Sequence, residues 1–88
     1  SGKDKTSLVV ALHENRPGGL YKILKLFAEA NINLTKIESR PTKKELGEYL
    51  FWIDCEGHRE LQPLQGVLQE LSSQVALLKI LGSYPKEV

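Results

Sequence analysis

The chain has 88 residues, enough for one domain and too few for two. Twelve Lys and Arg against eleven Asp and Glu leave a net charge of +1, without the clear basic excess that a nucleic-acid or membrane-surface binder usually shows. A single cysteine, Cys55, can close no internal disulfide and makes no metal cluster, and no apolar run approaches the roughly 18 residues of a membrane span.

Residues 6–13 alternate, with Leu8, Val10 and Leu12 to one side and Val9 and Ala11 to the other, which predicts a largely buried strand. A polar loop, His13 to Arg16, leads to Pro17, expected at the first helical position, where its missing N–H is tolerated. Leu20, Ile23, Leu24, Phe27 and Ala28 then keep the spacing of an amphipathic helix, with Asn31 as its stop. Residues 32–40 read as a second strand, with Ile32 and Leu34 on one face. The alternation slips at Ile37, which predicts a bulge or an edge strand. The charged stretch Pro41 to Gly47 is a turn. A third strand follows, with Tyr49, Phe51, Ile53 and Cys55 opposing Leu50 and Trp52, so that one of Phe51 and Trp52 packs on the helices and the other on the opposite sheet face. Glu56-Gly57-His58 breaks it. Leu61, Leu64, Val67, Leu68 and Leu71 mark a second helix, with Pro63 in its first turn. Val75 to Tyr84 forms a fourth strand ended by Pro85.

The order β-α-β-β-α-β predicts an α+β, ferredoxin-like fold: a four-stranded antiparallel sheet with two helices on one face. A domain of this size buries only about 60–65% of its unfolded surface, so association with a second copy would help it.

Two segments are not explained by packing. Asn15-Arg16-Pro17-Gly18-Gly19-Leu20 puts two glycines at a helix start. Bare backbone there suits an anion, and close helix–strand packing is the alternative. Asn33-Leu34-Thr35-Lys36-Ile37-Glu38-Ser39-Arg40-Pro41 is a polar strand end. Glu38 and Arg40 offer both charges an amino-acid zwitterion needs, or else simply protect a solvated sheet edge. In the expected fold the two segments approach each other. His13 and His58 lack a nucleophile in any obvious constellation, so no catalytic residue is expected; His13, at a strand end near the first segment, is a solvated residue or a supporting contact.

Pro17-Gly18-Gly19-Leu20 resembles the Gly-Ala-Leu motif of ACT domains, with Gly19 in the alanine position and Tyr21 in place of an aliphatic residue. Ile37-Glu38-Ser39-Arg40-Pro41 is similar to the Glu-Ser-Arg-Pro motif of the phenylalanine-binding members. Prephenate dehydratases and aromatic amino-acid hydroxylases share that pair. Glu56-Gly57-His58 and Leu81-Gly82-Ser83-Tyr84-Pro85 look like the dehydratase ending. The resemblance covers residues 5 to 85 of a single domain, 1–88.

It implies a regulatory module without a cofactor, which binds L-phenylalanine between two copies joined strand 2 to strand 2, with a higher oligomer open. Asn15, Pro17, Gly18, Gly19 and Leu20 would come from one copy. Asn33, Leu34, Thr35, Lys36, Ile37 and Glu38 would come from the other, with Glu38, Ser39 and Arg40 closing the site beside Pro41, and Leu20, Leu34 and Ile37 as the apolar wall. The catalytic domain of a parent dehydratase is the further partner; a hydroxylase parent, or a dimerisation module without sensing, are the alternatives. The chain has no methionine. It is therefore read as a piece of a longer protein, with a reducing cytosol as its expected compartment.

Overall fold

A computed structural model describes residues 4–13, 17–42 and 49–85. The elements are β1 (Asp4–Ala11), α1 (Gly19–Glu29), β2 (Leu34–Pro41), β3 (Tyr49–Glu56), α2 (Leu64–Gln74) and β4 (Leu77–Pro85). The strands form one antiparallel sheet in the order β2-β3-β1-β4, the ferredoxin-like arrangement, with β2 and β4 at its edges.

Alternation along the strands decides the layers. Leu8 and Val10 of β1 and Phe51, Ile53 and Cys55 of β3 are buried against Ile23, Phe27, Leu64, Val67, Leu68 and Leu71 of the helices. Val9, paired with Trp52 on one side and Lys79 on the other, belongs to the opposite face, which carries no helix. Phe51 is therefore the aromatic of β3 that packs on the helices, and Trp52 the one that does not. Burial of Cys55, with Asp54 beside it, pushes its thiol up to about 11.

Asn31 stops α1 as its position suggests. It takes φ 60°, its N–H bonds the carbonyl of Ala28 at 3.0 Å, and the N–H of Ile32 bonds that of Phe27 at 2.9 Å. This is a Schellman closure, completed by the apolar contact it favours, because Ile32 and Phe27 share the core. Ile32 accordingly belongs to the helix cap and not to β2, where alternation had put it.

Three other boundaries move. Pro17 lies before the helix, because the chain needs Gly18 in the left-handed region (φ 85°) to turn into α1. The second helix starts at Leu64 and not near Leu61, which is exposed. A residue preceding proline resists the helical conformation, so the helix forms only beyond Pro63, and the Gln62 side chain receives the N–H of Gly66 at 3.0 Å. Val75 caps α2 instead of opening β4. The predicted turn after Pro41 lies mostly outside the described residues.

At the other end of the sheet, Thr6 is fully buried. Its hydroxyl donates to the carbonyl of Gly57 at 2.7 Å and lies 2.7 Å from the Ser83 hydroxyl, while the N–H of Gly57 bonds the carbonyl of Asp4 at 2.8 Å. The N–H of Glu56 in turn bonds the carbonyl of Asn33 at 2.9 Å, which anchors the start of β2.

Candidate functional site

The start of α1 is built without a side-chain cap. Gly18 occupies the N-cap position with nothing near where a Cβ would project, so its positive φ, and not crowding, calls for glycine. The first turn holds no acidic residue. Among the described residues no side chain caps its N–H groups, so these and the positive end of the helix dipole suit an external acceptor. A cleft of about 230 Å³ opens there, lined by Leu12, His13, Pro17, Gly19, Lys22 and, from the end of α2, Gln74. Lys22 lies one turn beyond Gly19 and therefore above the same opening. Gln74 gave no signal in the sequence, because only the antiparallel packing of the helices brings the end of α2 to the start of α1.

Strand β2 divides its residues between the two faces of the sheet. Leu34 pairs with Cys55, and the register then slips before Lys36 pairs with Asp54, so Thr35 is the bulged residue. Past the slip, Ile37 pairs with Ile53 and Ser39 with Phe51, on the helix side. Lys36, Glu38 and Arg40 align with Asp54, Trp52 and Leu50, on the side without helices. Leu34 and Ile37 thus stand on the face that α1 covers, together with Ser39.

Glu38 and Arg40 take the other face. Their charges were expected to meet a zwitterion, yet in a single chain they project from the other side of the sheet. Arg40 Nε donates to Glu38 Oε2, and the guanidinium lies 5.0 Å over the Trp52 ring. That hydrogen bond, with the charges of Arg40 and Lys36, holds the Glu38 carboxyl below the usual carboxylate range. The cause is the pleat: once Leu34 and Ile37 face α1, every second residue from Lys36 onward faces away.

The register also decides which ends meet. Ala11 pairs with Leu50 and Leu50 with Arg40, so the end of β1 and the end of β2 share one row of the sheet. His13 and Gly19 line one cleft just past Ala11, which places the start of α1 at that same end. Pro17, Gly18, Gly19 and Leu20 are therefore gathered with Ser39, Arg40 and Pro41. Asn33 and Leu34 are not: they lie beside Glu56 and Cys55, at the far end, six residues or roughly 20 Å along the strand. The expectation that the two segments approach each other holds only for the last residues of β2. Asn15 lies outside the described residues.

Comparison with known proteins places this geometry among relatives. Residues 6–73 match the ACT domain family model. The chain is 49% identical over 86 residues to a bifunctional chorismate mutase/prephenate dehydratase of Aquifex aeolicus, covering 98% of this chain and 24% of that protein. It is 52% identical over 81 residues to a prephenate dehydratase of Methanocaldococcus jannaschii, covering 92% of this chain and 29% of that one. Among solved structures it is similar to the prephenate dehydratase of Arthrobacter aurescens in complex with L-Phe, with a TM-score of 0.90 and 43% identity over 98% of this chain and 28% of the other. The chain thus spans about a quarter of the length of these relatives.

Proposed function

The chain belongs to the ACT domain family, and from that premise we propose that it is the effector-sensing part of a prephenate dehydratase, binding L-phenylalanine between two copies and transmitting feedback inhibition. The observation that carries this is the split site. The helix start and the start of β2 lie on the helix side of the sheet but at opposite ends of one molecule, and β2 is an edge strand. When two copies pair antiparallel along that edge about a two-fold axis, the start of one β2 arrives at the end of the other. The helix start of one copy and Asn33-Leu34 of its mate then enclose a slot that neither possesses alone.

The chemistry follows from the lining. The uncapped N–H groups of α1 take the carboxylate, with Lys22 and His13 adding donors beside them. Leu20, Leu34 and Ile37 offer the aromatic ring an apolar wall. Two ligands tie two copies into one arrangement, and a coupling of about 1–3 kcal/mol to a distant active site changes activity about 5- to 150-fold. Dehydration of prephenate belongs to the rest of the longer protein, a lyase acting in the cytoplasm, and this chain contributes no catalytic residue to it. The dehydratase relatives support that parent over a hydroxylase.

Isothermal titration of the 88-residue chain with L-phenylalanine, alongside sedimentation, tests the reading. The expected result is one ligand per chain, bound by a dimer and tightening it. A dimer that gives no heat at millimolar ligand is a dimerisation module without sensing, and a chain that stays monomeric with ligand refutes the shared slot.

A further inference from the structure

An edge pairing along β2 still leaves a choice of register, and the charge pattern of the strand makes it. Building on the dimer proposed above, we infer that the two-fold axis passes through Ile37, so that Lys36 of each copy faces the partner's Glu38 and Ile37 packs on its own symmetry mate.

Residues directly opposite in an antiparallel pair project to the same face. A symmetric pairing must therefore centre on a residue, because a centre between Ile37 and Glu38 would oppose side chains from different faces. A centre at Glu38 sets Glu38 against its own copy and Lys36 against Arg40, all like charges. A centre at Lys36 opposes two lysines and sets Leu34 against Glu38. A centre at Ser39 does pair Glu38 with Arg40, over residues 37–41. It also sets Ile37 against Pro41, which has no N–H for the ladder.

The centre at Ile37 overlaps Thr35 to Ser39, up to the bulge, and makes two Lys36–Glu38 pairs on the side without helices. On the helix side it covers Ile37, which is 44% exposed in the single chain. Lys36 already reaches Glu38 within its own strand at 3.8 Å, with both side chains open to solvent, so the exchange to a partner needs only a change of rotamer. Arg40 keeps its place over Trp52.

This register also decides what completes the slot. It brings the partner's Leu34, which the bulge turns to the helix side, level with Arg40 in the row that ends beside the start of α1. A centre at Ser39 would carry the partner's Leu34 four residues, about 13 Å, past that row.

Cysteine substitution and charge exchange test it. In the Ile37→Cys variant the two thiols meet across the axis, with Cα atoms about 4.5–5.5 Å apart, and mild oxidation should yield a covalent dimer. In the Ser39→Cys variant they lie about 13 Å apart and should yield none. Cys55 is buried and does not interfere. Lys36→Glu and Glu38→Lys should each weaken the dimer about tenfold or more, and mixing the two variants should restore association as a heterodimer. Cross-linking through the Ser39→Cys variant alone, or a mixture no tighter than its components, overturns the register. So does a wild-type dimer in which neither cysteine variant cross-links. A wild-type chain that stays monomeric with L-phenylalanine refutes instead the dimer on which the register rests.

Discussion

Gly57 offers a direct measure of how firmly the far end of the sheet is held. Its φ of 115° lies where side-chain-bearing residues rarely go, and it follows the residue that anchors Asn33. An added Cβ would sit 3.4 Å from Cβ and 3.5 Å from Cδ2 of Leu64, contact without serious overlap, so backbone strain supplies most of the cost of Gly57→Ala. That strain is about 1–3 kcal/mol. At about 4–8 °C per kcal/mol for a domain of this size, a central value near 2 kcal/mol lowers Tm by roughly 8–16 °C. Gly82→Ala is the control: nothing lies within 4 Å of its Cβ and its φ is not positive, so the same change there should be neutral or raise Tm by a few degrees. Circular dichroism melts of the two variants and the wild type decide the matter. A Gly57→Ala melt within about 2 °C of wild type, or a Gly82→Ala variant that falls as far, would refute the reasoning.

Thr6→Val removes the hydroxyl that satisfies the Gly57 carbonyl and meets Ser83, at a fully buried position; a loss of about 1–3 kcal/mol is expected in chemical denaturation. Gly19→Ala should stabilise α1 by less than the roughly 1 kcal/mol gained at a helix-interior position, since Gly19 is its first residue and has no positive φ, and a calorimetric melt lower than wild type would contradict that. Native Cys55, its thiol pushed up to about 11, should stay unreactive toward a disulfide reagent at pH 8, where about one thiol in a thousand is ionised, and react fully once the chain is unfolded; rapid labelling of the folded chain would count against its burial.

Much of the fold could be read in the sequence because its determinants are local. The alternation of Leu8, Val9 and Val10 announced a strand buried on both faces, and Asn31 marked a helix end that its own backbone conformation closes. The slip at Ile37 announced a bulge on an edge strand, and the register places that bulge at Thr35. Boundaries moved where a neighbour intervened: Gly18 had to turn before α1 began, and Pro63 delayed α2 past Leu61.

The candidate site was legible as a set of residue types but not as a place. Nothing local says that a bulge at Thr35 sends Lys36, Glu38 and Arg40 to the side without helices, because that depends on how β2 registers against β3. Nor does any local pattern say that Asn33 sits by Glu56 while Arg40 shares a row with Ala11. Periodicity records which way each side chain faces within its own element, and composition records what chemistry it brings. Which ends meet depends on pairings between residues far apart in the chain, and those are chosen by the packing of the whole sheet and its helices.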